Sequence, residues 1–158
     1  MLVRECLRTA PVTVPPGCTL EEAGRLLGDH GVGSLLVVDG DRLVGIVTDR
    51  DITVRGVGEG KPSSTRVEAV MTADPVTIQG SADVYEAFTT FKTATSRRLP
   101  VLEEKDLAGI ISVDDLLLSL VTEFGAVMSP VAQKLCTQPE RGRLGEGDGG
   151  LQARDVAT

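Results

Sequence analysis

The second half of this chain repeats the first. Residues 3–55 align with residues 67–119 at a constant offset of 64, without a gap, and twelve of the fifty-three aligned pairs are identical. The identical pairs are Val3/Val67, Pro11/Pro75, Val12/Val76, Thr13/Thr77, Glu22/Glu86, Ala23/Ala87, Leu35/Leu99, Val37/Val101, Leu43/Leu107, Gly45/Gly109, Ile46/Ile110 and Asp51/Asp115. Most are apolar or glycine positions, so the repeat predicts one small fold built twice.

Composition limits the classes of function. A chain of 158 residues has room for two small units that share a core, but not for a large multidomain enzyme. The net charge of -7 opposes general attraction to nucleic acid or to an anionic membrane. Three cysteines without CxxC or Cys/His spacing indicate neither a disulfide framework nor a zinc site. Lacking a signal peptide or a long apolar segment, the sequence predicts a cytoplasmic protein.

Each copy carries the pattern of a β-α-β-β-α unit. In the first copy, PVTV is followed by Thr19 as an N-cap and by a helix that should end between Gly28 and Gly31. Two β-branched runs then flank Gly40-Asp41, a hairpin signal, and a second helix opens at Asp49 or Asp51. The second copy repeats this order, so we predict an α+β fold in which two such units pack as a pseudo-two-fold module.

The domain boundaries follow from the same pattern. We place unit 1 at residues 1–60, unit 2 at residues 61–127 and a C-terminal extension at 128–158, which we expect to be disordered from about Thr137. The glycine-rich linker 56–65 should be flexible. The short leads VRECLR and VEAVMT, which precede the two PVT strands, should brace one copy against the other.

A glycine, a hydroxyl and a carboxylate recur in GIVTDRD and GIISVDD, which end at Asp51 and Asp115. The hydroxyls of Thr48 and Ser112 lie at strand-to-helix junctions, where free N–H groups favour an anion such as phosphate. The carboxylate three residues later is a pure acceptor, suited to a ribose diol. These residue types are also ordinary helix caps, and one copy alone would fit either role equally. Their duplication favours a ligand site.

Each unit of this gapless tandem opens with PVT and closes with GhhTxxD or GhhSxxD, where h is an apolar residue. Over residues 3–125 the tandem resembles a pair of cystathionine beta-synthase (CBS) domains. The resemblance implies a Bateman module with two clefts for an adenosine ligand such as AMP, ADP, ATP or S-adenosylmethionine, and no obligatory cofactor. It also implies a regulatory role towards an unknown protein partner and a homodimer.

The resemblance implies a basic phosphate contact at Arg97, with help from Arg98, and adenine slots on each copy. The slots would lie at Ala10–Thr13 with Val32–Leu35, and at Asp74–Thr77 with Arg98–Pro100. The first copy has Gly33 and Ser34 where the second has the two arginines, so its cleft should lack that cation unless Arg50 supplies one. The candidate ligand-binding residues are Gly33, Ser34, Thr48, Arg50, Asp51, Asp74, Pro75, Arg97, Arg98, Pro100, Ser112 and Asp115. We expect Asp115→Ala and Arg97→Ala to weaken binding more than Asp51→Ala does.

Catalysis is disfavoured by the residues. The DxD in TDRD resembles that of haloacid-dehalogenase phosphatases, but the second copy reads SVDD and no later lysine with an acidic cluster completes such a site. His30 stands without a nucleophilic partner. The alternative to a ligand sensor is a structural dimerisation module whose clefts are vestigial.

Overall fold

The computed structural model of the chain describes residues 1–8, 10–94 and 96–136. Its elements follow the predicted β-α-β-β-α order in both copies, which confirms the α+β fold. The first copy consists of β1 (Thr13–Val14), α1 (Leu20–His30), β2 (Ser34–Asp39), β3 (Arg42–Thr48) and α2 (Asp49–Asp51). The helical path of α2 continues through a π-helical turn, Ile52–Gly56, and a 3-10 turn, Val57–Glu59.

The second copy begins with β4 (Thr72–Ala73), which pairs with β3 of the first copy. It continues with β5 (Ile78–Gln79), α3 (Val84–Thr93), β6 (Arg98–Glu103), β7 (Asp106–Ser112) and α4 (Val113–Cys136). The two sheets have the strand orders β1-β2-β3-β4 and β5-β6-β7. Strand β1 pairs in parallel with β2, and β5 in parallel with β6. The hairpins β2–β3 and β6–β7 are antiparallel. Both copies fall in one compact unit, Met1–Val121.

Helix α1 begins and ends where the sequence predicts. Thr19 and Glu22 form a capping box: the Thr19 hydroxyl accepts from the Glu22 N–H at 3.2 Å, and the Glu22 carboxylate accepts from the Thr19 N–H at 2.8 Å. These bonds hold the pKa of Glu22 below its ordinary value. Gly31 closes the helix at a φ of 61°, in the left-handed region that glycine enters most readily.

The two leads are exchanged between the copies, as their predicted bracing role requires. The turn at Val3–Cys6 packs into the core of the second copy, with Val3, Cys6 and Leu99 in one buried cluster. The turn at Val67–Ala69 packs into the core of the first, with Val67 and Leu35 buried together. The Val3 N–H donates to Ala82 O at 2.9 Å and the Val67 N–H to Cys18 O at 2.8 Å. Each copy therefore completes the core of the other.

The linker 56–65, expected to be flexible, has defined turns. The Lys61 N–H donates to Gly56 O at 3.0 Å, and Gly56 is buried. The carbonyls of Thr65 and Ser63 accept from the N–H groups of Leu20 and Glu21, at 2.8 and 3.1 Å, at the start of α1. The linker thus satisfies helix donors that would otherwise need water, and its flexibility remains a prediction.

Helix α4 crosses the predicted boundary between unit 2 and the C-terminal extension and reaches Cys136, with Pro130 inside it. The first nine residues of the predicted C-terminal extension, 128–136, are therefore helical. The disorder expected from Thr137 onward falls outside the described residues. Within the described part of the chain, no helix combines the length and apolarity needed to cross a membrane.

Candidate functional site

Both motif carboxylates close a capping box at the end of a strand. In the first copy, Asp51 Oδ2 accepts from the Thr48 hydroxyl at 2.7 Å and from the Thr48 N–H at 2.9 Å, while the Asp51 N–H donates to the hydroxyl at 3.1 Å. In the second, Asp115 Oδ2 accepts from the Ser112 hydroxyl at 2.5 Å and from its N–H at 3.0 Å. The repeat thus preserves one local geometry, which has a structural purpose of its own.

The motif glycines make room for the exchanged leads. A Cβ on Gly45 would overlap Met71 Sδ and would lie 3.1 Å from the Thr72 carbonyl oxygen. A Cβ on Gly109 would lie 2.9 Å from Cδ1 of Leu7, the residue that aligns with Met71. At each glycine the approaching group is therefore the lead that precedes the other copy's PVT strand.

A cavity of about 630 Å³ joins the first motif to the second copy, and we call it the larger cavity. It is lined by Ile46, Thr48, Asp49, Arg50, Asp51, Arg55, Thr72, Asp74, Pro75, Val76, Ala94, Ser96, Arg97 and Arg98. Asp74 has a φ of 45°, in a region that aspartate tolerates better than most residues. The volume of the larger cavity lies within the range of about 300–1,000 Å³ usual for small-molecule sites.

A second cavity, of about 190 Å³, joins the second motif to the first copy, and we call it the smaller cavity. It is lined by Ala10, Pro11, Val12, Val32, Gly33, Ser34, Arg98, Ile110, Ser112 and Asp115. The apolar lining comes mainly from the predicted slot of the first copy. The hydroxyl and the carboxylate come from the second copy.

The clefts are therefore crossed, which corrects the predicted grouping of Arg97 with Ser112 and Asp115. Arg97 lines the larger cavity, with Thr48 and Asp51. Strand geometry supplies the reason: Arg98 stands opposite Ser112 in the β6–β7 register, so these two side chains share a face. Arg97 lies one residue before β6 and lines the larger cavity but not the smaller one.

Arg98 lines both cavities, so the expectation that the first copy's cleft lacks a cation was wrong. Its long side chain reaches across to Gly33, where there is no side chain to exclude it. The predicted ranking of variants placed Asp115 and Arg97 together above Asp51. The structure no longer supports that ranking, because Arg97 and Asp51 line one cavity and Asp115 lines the other.

Arg97 also makes a surface ion pair with Asp114. Its Nη2 lies 3.5 Å from Asp114 Oδ1, and both side chains are more than three-quarters exposed. Exposed pairs of this kind contribute about 0–1 kcal/mol, so a phosphate group would compete with Asp114 at little cost. Arg50, the other candidate cation of the first motif, lines the larger cavity as well.

Sequence reasoning missed Arg55. Its Nη1 lies 3.6 Å from Asp51 Oδ1, and it donates to the carbonyl of Val70 at 3.0 Å. It stands four residues after Asp51, the usual spacing of a helical ion pair, and this was the signal available. Of the predicted residues, Pro100 lines neither cavity; it is fully buried in β6 opposite Ile110.

Comparisons with known proteins agree with this architecture. The family model for the CBS domain matches residues 3–57 and 67–122. Among curated relatives, the uncharacterized protein YlbB of Bacillus subtilis is 39% identical over 116 residues, covering 71% of this chain and 78% of that protein. The CBS domain-containing protein YhcV of the same organism is 33% identical over 114 residues, covering 72% and 81%.

Solved structures show the same fold. A putative signal-transduction protein with CBS domains from Burkholderia ambifaria aligns with a TM-score of 0.71 and 34% identity, over 77% of this chain and 95% of that one. The CBS domain pair of protein MJ0100, in complex with 5'-methylthioadenosine and S-adenosyl-L-methionine, aligns with a TM-score of 0.68 and 25% identity, over 78% and 98%.

Proposed function

Because the chain belongs to the CBS-domain family, we propose that it is a regulatory module whose larger cavity binds a phosphorylated adenosine ligand of the AMP, ADP or ATP type. The observation that carries this proposal is the crossed composition of the larger cavity. It combines the Thr48/Asp51 pair of one copy with the Asp74–Pro75 segment and Arg97 of the other.

Charge supports a phosphorylated ligand. Four arginines and three aspartates line the larger cavity, which gives it a formal charge of +1 in a chain whose net charge is -7. Guanidinium groups bind phosphate through bidentate, charge-assisted hydrogen bonds. Arg97 and Arg98 come from the second copy and Arg50 from the first, so a phosphate in the cavity would neutralise a local excess of positive charge contributed by both copies.

The remaining polar groups suit a ribose. One Asp51 oxygen is engaged in the capping box, and the other faces Arg55 at 3.6 Å. Both oxygens of a carboxylate accept more than one hydrogen bond, so a ribose diol can be added without breaking the cap. MJ0100 binds two adenosine derivatives, and its pair of domains shares this fold.

The proposed regulation acts through the angle between the copies. A ligand in the larger cavity touches both copies, and it shifts their arrangement only to the extent that it prefers one arrangement. We propose a homodimer that passes this change to a protein partner, whose identity the chain does not encode. Exposed apolar side chains on α4, such as Leu117 and Val121, support self-association. The cytoplasmic location expected from the sequence remains a prediction, as does a binding rather than a catalytic role.

The second candidate is a structural module with vestigial clefts. The capping boxes favour it, because the motif residues already have a complete structural role without any ligand. Ligand binding separates the two candidates. Isothermal titration calorimetry of the full chain with AMP, ADP, ATP and S-adenosylmethionine should give binding of at least one nucleotide; absence of heat for all four would favour the structural candidate.

Two variants locate the site. Arg97→Ala and Asp51→Ala should each weaken nucleotide binding, about tenfold or more if each removes a charge-assisted contact. Made together, they should weaken binding more than either substitution alone, because both side chains contact the same ligand. Asp51→Ala also removes a cap, at a cost of about 1 kcal/mol in stability, so affinity must be measured directly and not inferred from melting.

The matched control is Arg66→Ala. Arg66 forms an exposed ion pair with Glu68, as Arg97 does with Asp114, but it lines neither cavity. Its replacement should leave the affinity unchanged. Equal losses in Arg66→Ala and Arg97→Ala would indicate a general charge effect and contradict the assigned site.

A further inference from the structure

Arg98 is the side chain that the two cavities share. Its backbone is fixed: the N–H donates to the Ser96 hydroxyl at 3.1 Å, that hydroxyl donates back to Arg98 O at 2.7 Å, and the residue pairs with Ser112 in the sheet. The guanidinium lies at the end of a flexible stem. Its position is therefore the variable part of an otherwise rigid boundary.

The guanidinium rests against Gly33, at the wall of the smaller cavity. Nη2 lies 2.8 Å, and Cζ 3.4 Å, from the point that a Cβ on Gly33 would occupy, and Asp49 Oδ2 lies 3.8 Å from the same point. Asp49 lines the larger cavity and Gly33 the smaller, so the cation stands at the boundary between them. The guanidinium occupies the space that a side chain at position 33 would otherwise fill.

The size of the smaller cavity is consistent with its being obstructed. At about 190 Å³ it is less than a third of the larger cavity's 630 Å³. It falls below the roughly 300 Å³ at which small-molecule sites usually begin. Yet it contains the same hydroxyl and carboxylate pair, at Ser112 and Asp115, as the larger cavity does at Thr48 and Asp51.

We propose that Arg98 couples the two cavities: without ligand it obstructs the smaller one against Gly33, and a phosphate in the larger one draws it away. Arg98 has a single guanidinium group, so it can contact an anionic group in only one of the two cavities at a time. A nucleotide phosphate attracts it more strongly than the Asp49 carboxylate does, because the phosphate carries more charge. Its withdrawal enlarges the smaller cavity for a second, uncharged adenosine ligand. This inference rests on the proposed nucleotide binding in the larger cavity.

Gly33→Ala tests the coupling directly. The new Cβ would overlap the present position of Nη2, which lies at the end of a flexible side chain and can move at little cost. The variant should release Arg98 towards the larger cavity before ligand arrives. Since the cost of withdrawing Arg98 no longer opposes binding, AMP affinity should rise, by about fivefold or more if the coupling has the usual size.

The control is the same substitution in an Arg98→Ala background. There Gly33→Ala should leave AMP affinity unchanged, because no guanidinium remains to be displaced. An equal AMP affinity in wild type and Gly33→Ala, or an equal gain in both backgrounds, would overturn the coupling while leaving the proposed function intact. Failure of the wild-type chain to bind any of AMP, ADP and ATP would overturn both.

The smaller cavity supplies the second readout. Titration of adenosine into the AMP-saturated chain should reveal a second binding event that is weaker, by about fivefold or more, in the absence of AMP. Asp115→Ala should abolish this second event, because it removes the carboxylate of the smaller cavity. A second event that survives Asp115→Ala, or adenosine binding that AMP only suppresses, would contradict the opening of the smaller cavity.

Discussion

The exchange of leads makes a quantitative prediction for Val67→Ala. Val67 belongs to the lead of the second copy but is completely buried in the core of the first. Each buried methyl group contributes about 0.8 kcal/mol, so the loss of two costs about 1.6 kcal/mol in transfer free energy. A residual cavity raises the loss to about 2–3 kcal/mol. Val3→Ala should cost about as much, because Val3 is equally buried in the core of the second copy.

Urea denaturation measures the loss, and methyl NMR locates it. Val57→Ala is the matched control: Val57 is 71% exposed, so the same change should alter stability by about 0.5 kcal/mol or less. Val67→Ala should shift the methyl resonances of Leu35 and Val37, in the first copy. Shifts confined to Leu99 and Val101 of the second copy, or a loss no larger than that of Val57→Ala, would refute the exchange.

Two further predictions concern helix α1. Gly24→Ala should stabilise the fold by about 1 kcal/mol, since a Cβ at this helical position meets no neighbouring atom. Gly31→Ala should destabilise the fold by about 1–2 kcal/mol, since residue 31 has a φ of 61°. Thermal unfolding that shows the same sign for both variants would contradict these predictions. The lowered pKa of Glu22 makes its capping contribution complete above the ordinary glutamate pKa of about 4.3 and progressively lost as the pH falls through its folded value. Glu22→Gln should therefore flatten the acid limb of the stability curve, and a wild-type acid limb in the variant would count against the capping box.

The fold of a single copy was predictable because its determinants are local. Thr19 as N-cap, Gly31 as C-cap and Gly40 in the hairpin turn each act within a few residues, and all three appear where the sequence places them. The repeat then extended the prediction to the second copy, where Asp83 caps α3 through a hydrogen bond to the Glu86 N–H at 2.8 Å.

The composition of the cavities was not predictable, because it depends on how one copy faces the other. The repeat determines what each motif looks like but carries no information on which copy's slot it meets. The same limit applies to the linker, whose glycine-rich composition suggested flexibility although Ser63 and Thr65 cap the start of α1. Arg55 was missed for a different reason: its spacing from Asp51 is ordinary for a surface helix, and only the cavity distinguishes it.

The crossed geometry has a consequence for regulation that parallel clefts would not have. If each copy held its own cleft, a ligand would stabilise one copy and leave the pairing unaffected. Here Thr48 and Asp51 come from one copy and Arg97 from the other, so the part of the binding free energy that a bridging ligand gains from its second set of contacts depends on the copies being packed together. The exchanged leads keep the two copies packed, since removing either lead would expose the core of the other copy. On the function proposed above, we therefore expect a ligand to adjust the angle between the copies without separating them, and a protein that contacts both copies to sense that angle.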